Sequence, residues 1–152
     1  MSVYTLVSQI VTLVKDNRIT TNNYPPDVEY KIQEAVQLKR SAKYEQALQI
    51  YLNIFSNQGI VQTGVLNGLF KVIAAAGYCR EARELLEIGN RAMHNSTTIY
   101  NPFGLPNNFE DHLRKIDQAI RDKEALETYL KSISGNPYYS LPRNYKEISS
   151  EY

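Results

Sequence analysis

The sequence predicts an all-α protein. Apolar residues recur along most of the chain at the three- and four-residue spacing of amphipathic helices. Glycines and prolines fall between these stretches, where they are expected to end one helix and precede the next. No stretch alternates apolar and polar residues strongly enough to indicate a half-buried strand.

The first predicted element is an amphipathic helix over residues 2–16, within an N-terminal segment 1–17. The residues of its apolar stripe share one helical face and are Val3, Leu6, Val7, Ile10, Val11 and Val14. A polar linker, 18–27, follows, and Asp27 is the expected N-cap of the next helix. Because the stripe needs a cover, we expect helix 2–16 either to cap the helical domain or to pair with a second copy of itself as a homodimer.

Four helices are predicted next, arranged as two consecutive pairs. Their approximate ranges are 28–41, 44–56, 61–76 and 80–93. Gly59 marks the end of the first pair and Gly77 marks the turn inside the second, since glycine readily adopts the conformation that ends a helix.

A long loop, 94–108, separates these helices from a third predicted pair at about 109–120 and 122–133. Loops of this length are often functional, and Tyr100 and Phe103 are its candidate contacts with a partner. The alternative is that its apolar residues cover the end of the core.

The tyrosine-rich segment 135–152 forms a C-terminal tail. It has no sustained helical period, so we expect it to fray. The alternative is that its tyrosines pack back onto the body or dock onto a partner.

The charge balance gives the chain no overall attraction to nucleic acid or anionic membranes. Seventeen basic and sixteen acidic residues leave a net charge of +1. No apolar run approaches the roughly 18 residues of a membrane span, and the first residues lack the basic start of a signal peptide. The single cysteine, Cys79, cannot form an intramolecular disulfide. We therefore expect a reduced, cytoplasmic chain with no membrane contact.

No group of residues predicts catalysis, a metal site or a cofactor. His94 and His112 lie eighteen residues apart and have no ligand-spaced cysteine or carboxylate cluster. Cys79 has no neighbouring histidine or aspartate to activate it, and no phosphate-binding glycine motif occurs. We therefore expect no enzyme activity.

Three alanines repeat at a spacing that suggests helical repeats. Each is followed four positions later by a large residue, and the pairs are Ala47 and Tyr51, Ala82 and Leu86, and Ala125 and Tyr129. The alanines are thirty-five and then forty-three residues apart, and the longer interval contains the loop 94–108. A period of about 34 residues, with two helices per unit, resembles the tetratricopeptide repeat (TPR). The resemblance implies antiparallel helix pairs, about three of them, stacked as a short superhelix over 28–134 with an extra N-terminal helix.

The resemblance also implies that the first helix of each pair lines a concave face, where a partner segment binds. Four cations and one amide occupy positions that would face it, namely Lys39, Arg40, Asn67, Lys71 and Arg114. A mildly basic groove suits a peptide that carries carboxylates. We therefore expect a non-catalytic scaffold or adaptor whose partner is a protein or peptide.

Other interpretations remain open from the sequence. A regulatory or assembly subunit would contact a larger complex through helix 2–16 or the convex face. An RNA-binding helical repeat is disfavoured by the neutral charge and the small number of units. A helical bundle without repeats would carry the same alanines by coincidence.

Overall fold

The computed structural model describes residues 2–20, 23–95 and 108–142. These residues form seven α-helices and two three-residue strands, which are α1 Val3–Asp16, β1 Arg18–Thr20, α2 Pro26–Arg40, α3 Tyr44–Gln58, β2 Ile60–Gln62, α4 Thr63–Ala75, α5 Cys79–Asn95, α6 Asn108–Ala119 and α7 Lys123–Ser134. The all-α class is confirmed, although the sequence did not predict the short β1–β2 pair.

Local sequence signals account for four of the helix ends in the described residues. Ser2 caps α1 by accepting a hydrogen bond from the backbone N–H of the first turn, and Asp122 caps α7 in the same way. Gly59 and Gly135 end α3 and α7 in the left-handed conformation, with φ of 68° and 71°.

The start of α2 differs from the prediction. Pro25 occupies the N-cap position, and no side chain makes a capping hydrogen bond there. Asp27, the predicted cap, instead lies in the first turn of α2, where a carboxylate favours the positive end of the helix dipole. The prediction was wrong because Pro26, which lacks an N–H, suits the first helical position.

The centre of the core is α4, which contacts α2, α3, α5 and α7. Most of its residues are buried, and these are Val65, Leu66, Leu69, Phe70, Val72, Ile73, Ala74 and Ala75. A helix that is apolar almost all round must be covered on several sides. The helices before and after it therefore pack around it.

The N-terminal helix α1 packs on α3 and α5. The predicted stripe is buried in this contact, with Leu6, Val7 and Ile10 fully inaccessible. The stripe of α1 is therefore covered by α3 and α5 of the same chain.

The predicted linker 18–27 is fastened to the body. Arg18–Thr20 pairs in parallel with Ile60–Gln62. The buried hydroxyl of Tyr24 donates to the Ile60 carbonyl (2.6 Å) and accepts from the Gln62 N–H (3.1 Å). The chain between α1 and α2 is thus held at two points.

The last pair of helices closes the other side of the core. α6 packs on α5, whereas α7 packs on both α6 and α4. Phe109 of α6 is buried against Gly89 of α5, where a Cβ atom would lie only 2.6 Å from the phenylalanine ring. Across the same interface, the Arg83 guanidinium donates to the Asp117 carboxylate at 2.7 Å.

The first part of the tail packs back onto the body. Tyr139 is buried and its hydroxyl donates to the Ala75 carbonyl at the end of α4 (3.1 Å). Tyr138, by contrast, is 91% exposed. The expectation of a frayed tail is therefore wrong for Tyr139, and residues 143–152 lie outside the described ranges.

We expect Gly89→Ala to lower the free energy of unfolding by about 1–3 kcal/mol, because the added methyl collides with the Phe109 ring. Gly64→Ala is the matched control, since the same methyl would lie 3.4 Å from the nearest atom, in the Gln62 side chain. Urea unfolding of both variants provides the measurement. Equal stabilities for the two variants would contradict the close α5–α6 packing.

Tyr51 and Gly68 form a second tight contact, between α3 and α4. The Tyr51 hydroxyl is buried without a hydrogen-bond partner among the described residues, and a Cβ on Gly68 would lie 3.0 Å from it. We expect Tyr51→Phe to raise the free energy of unfolding by about 1 kcal/mol, because an unsatisfied buried hydroxyl is costly. Gly68→Ala should destabilise the wild type but be tolerated in the Tyr51→Phe background, and a double-mutant cycle measures this coupling. Additive effects of the two substitutions would show that the Tyr51 hydroxyl is not the group that the added methyl of Gly68→Ala meets.

Candidate binding site

Three cations converge where the C-terminal end of α2 meets α4. Burial, followed by the positive charges of Lys71 and Arg40, lowers the pKa of Lys39 to about 8. Arg40 and Lys71 therefore each lie within electrostatic range of Lys39, and we call these three residues the basic cluster. Within the described residues, no carboxylate forms an ion pair with any member of the cluster.

Lys39 joins the cluster to the end of α7. Its side chain crosses from α2, and its Nζ donates to the Ile133 carbonyl at 2.9 Å. Carbonyls in the last turn of a helix have no partner within the helix, and a cation there also opposes the negative end of the helix dipole. Lys39 is only 8% exposed, so this predicted groove residue mainly holds α7 in place.

Arg40 and Lys71 are the more accessible members of the basic cluster. Arg40 is exposed and lies along Gly135, where a Cβ atom would approach its Cγ within 3.2 Å. Lys71 is partly buried, which lowers its pKa. Its Nζ lies 6.0 Å from the Phe70 ring centroid, at the outer limit of a cation–π contact. Both cations can therefore take a further anionic partner.

Asn67 shares α4 with Lys71, but its side chain already makes a contact. Its Oδ1 accepts a hydrogen bond from the Asn108 side chain at the start of α6. The predicted role of Asn67 in binding a peptide backbone would require this hydrogen bond to be exchanged.

His112 helps to join α6 to α4 and α7. Its ring lies 4.7 Å from the Phe70 ring, centroid to centroid, and its Nδ1 is 2.9 Å from the Tyr129 hydroxyl. Burial, followed by the charges of Lys71 and Lys115, lowers the pKa of His112 to about 4. The imidazole is therefore neutral at physiological pH. It contributes to the packing between helices and adds no charge to the basic cluster.

The remaining predicted site residues are placed elsewhere or lie outside the structure. Arg114 forms an ion pair with Asp111 on its own helix. No hydrogen bond or ion pair among the described residues joins Arg114 to the basic cluster. Tyr100 and Phe103 lie outside the described ranges.

The structure also provides evidence on a reactive thiol, a metal site and membrane-spanning helices. Burial raises the pKa of the Cys79 thiol to about 12, so the thiol stays protonated at neutral pH. In the part of the chain that the structure describes, no three histidine, cysteine or acidic side chains come together as a metal site. The described helices include none with the length and apolarity needed to cross a bilayer.

Sequence reasoning missed the contribution of α7 to this region. Ile133 accepts from Lys39, and Gly135 lies against Arg40. The glycine after α7 was a visible helix-end signal, but its position beside the end of α2 depends on the packing of α7 against α4.

No protein-family model matches the chain, and neither a curated protein nor a solved structure matches it. The class of protein that the structure defines is therefore a helical domain with a basic cluster at one edge. Its function is argued from this geometry.

Lys39 makes the stability of the fold depend on pH. Its pKa falls from 10.5 to about 8 on folding, so between these values the unfolded chain binds more protons at this site than the folded chain. The contribution of Lys39 to stability therefore rises with pH through this window. We expect the free energy of unfolding of the wild type to increase, relative to Lys39→Met, between about pH 8 and pH 10.5.

Urea unfolding at several pH values measures this difference. Lys31→Met is the matched control, because Lys31 is an exposed lysine on the same helix. The difference from the wild type should depend on pH more strongly for Lys39→Met than for Lys31→Met. A difference for Lys39→Met that stays flat with pH would contradict a buried, positively charged amine.

Proposed function

We propose that this chain is a non-catalytic protein-interaction module, a scaffold or adaptor that binds an acidic segment of a partner protein. The observation that carries the proposal is the basic cluster, whose three cations have no carboxylate partner among the described residues. Cations held close together repel one another. An anion that binds beside them relieves this repulsion and compensates for the hydration that the cations lose on partial burial.

The contacts between helices support a TPR-like description in part. The helices within each of the pairs α2–α3, α4–α5 and α6–α7 pack together, and α3–α4 and α5–α6 contacts join successive pairs. The departure is α7, which also contacts α4. We infer that α7 takes up part of the face that the resemblance assigns to the ligand, which leaves the ligand the edge formed by the basic cluster.

The chemistry of the cluster indicates how an acidic segment would bind. The planar guanidinium of Arg40 suits a bidentate carboxylate, and the amine of Lys71 acts as a point charge. The negative end of the α7 dipole opposes an anion beside Ile133. The carboxylates of the ligand are therefore assigned to Arg40 and Lys71, with Lys39 as a supporting charge.

We expect Lys71→Glu to weaken binding of a labelled glutamate-rich peptide by about 10- to 100-fold, because a charge-assisted hydrogen bond contributes about 1.5–3 kcal/mol. Fluorescence anisotropy at physiological ionic strength measures the affinity. Lys31→Glu is the matched control, since it makes the same charge change at an exposed position on α2. It should bind nearly as well as the wild type.

A peptide with glutamine in place of glutamate tests whether the carboxylates are recognised. Equal binding of the two peptides, or equal losses in the two variants, would contradict a site at the basic cluster. Binding of single-stranded RNA that is tighter than peptide binding and falls steeply with salt would favour the RNA-binding alternative.

A further inference from the structure

The outer surface of α1 and α3 carries almost no charge. In α1 the charged residues are Lys15 and Asp16, both at its C-terminal end, and in α3 the charged residue is Glu45, in the first turn. Residues 3–14 and 46–58 contain none. By comparison, α2 and α5 carry six charged residues each and α6 carries five. The buried helix α4 also carries a single charged residue, Lys71. Among the helices with a large exposed face, the low charge is therefore found on α1 and α3.

These two helices form a groove on this surface. Its volume is about 520 Å³, and it is lined by Ser8, Gln9, Thr12, Leu13, Leu52, Asn53 and Ser56. The two leucines are partly exposed, and the other lining side chains carry hydroxyl or amide groups. The surface therefore combines apolar contact area with neutral groups that can donate and accept hydrogen bonds.

Such a surface differs from an ordinary solvated helix face. Exposed faces of small domains usually carry lysine and glutamate, whereas these residues are depleted from the centres of protein interfaces. Hydroxyl and amide side chains keep the surface compatible with water, so it can also exist uncovered. The composition is therefore typical of a surface that a protein partner covers reversibly.

We propose that the α1–α3 surface binds a second copy of this chain, as a two-fold symmetric homodimer. In a two-fold interface the same patch faces itself, so a charge near its centre is brought close to an identical charge. In a chain with 22% charged residues, a patch that lacks them meets this requirement. A partner with a charged surface would instead be matched by complementary charges on α1 and α3.

The dimer proposed here uses the outer face of α1, opposite to its apolar stripe. Pairing through the stripe was one of the two alternatives drawn from the sequence, but Leu6, Val7 and Ile10 are fully buried within one chain. The outer-face dimer leaves that packing intact. It is also independent of the basic cluster, which lies on α2 and α4.

The size of the surface predicts a weak dimer. A helix of 15 residues is about 22 Å long, and two packed helices are about 20 Å wide, so the flat footprint is about 400 Å². A stable interface buries about 800 Å² of accessible surface on each partner. Because side chains project from the helices, the accessible area is larger than the flat footprint, but it stays at the lower end for a stable interface. We therefore expect a dissociation constant in the micromolar range.

Sedimentation velocity of the full chain over a range of micromolar concentrations tests this proposal. We expect the wild-type weight-average mass to rise towards twice the monomer mass. Asn53→Glu and Asn53→Lys each place a charge at the exposed lining of the groove and should weaken self-association at least ~tenfold, because like charges then lie within a screening length of each other. An equimolar mixture of the two variants should recover the dimer, since opposite charges then meet.

Gln118→Glu and Gln118→Lys are the matched controls, because Gln118 is exposed on α6. They should self-associate as the wild type does, and thermal unfolding checks that all variants are folded. A monomeric wild type at every concentration would overturn the proposal. So would Asn53 variants that dimerise normally, or a mixture that fails to recover.

Discussion

Burial of α4 is the constraint on which the rest of the structure depends. Six large apolar residues of this helix are buried, and each contributes about 1.5–3 kcal/mol to stability when removed from water. Their sum is comparable to the whole net stability of a typical domain, which is about 5–15 kcal/mol. The chain covers α4 with α2, α3, α5 and α7, and the buried side of α3 that remains is covered by α1.

This need to cover α4 also explains the position of the basic cluster. Because α7 lies against α4, its C-terminal carbonyls approach the end of α2, where Lys39 donates to Ile133. Lys39 thus serves a structural purpose first, by opposing the negative end of α7. Arg40 and Lys71 lie beside that contact and retain the capacity to bind an anion, which is why the proposed site lies at the edge of the helical layer.

Features that depend on neighbouring residues could be predicted from the sequence. The apolar stripe of α1 and the glycines at the ends of α3 and α7 act within one or two helical turns, so their effects can be seen in a short segment. Features that depend on packing could not be predicted. The hydrogen bond from Lys39 joins residues ninety-four positions apart, and the strands β1 and β2 have three residues each, too few for an alternating pattern. Of the candidate site, the sequence identified the cations but not the helix end that holds one of them.

The parallel pairing of β1 with β2 has a consequence for the order of folding. It joins Arg18 to Ile60 across forty-two residues, whereas the helices of each of the pairs α2–α3 and α4–α5 meet through turns of a few residues. The entropy lost on closing a loop grows with its length, and contacts between distant residues slow folding. The docking of α1 is therefore expected to follow the formation of α3 and β2. During synthesis, the apolar stripe of α1 would therefore stay uncovered at least until β2, which ends at Gln62, had been added, and its contact with α5 would form later still.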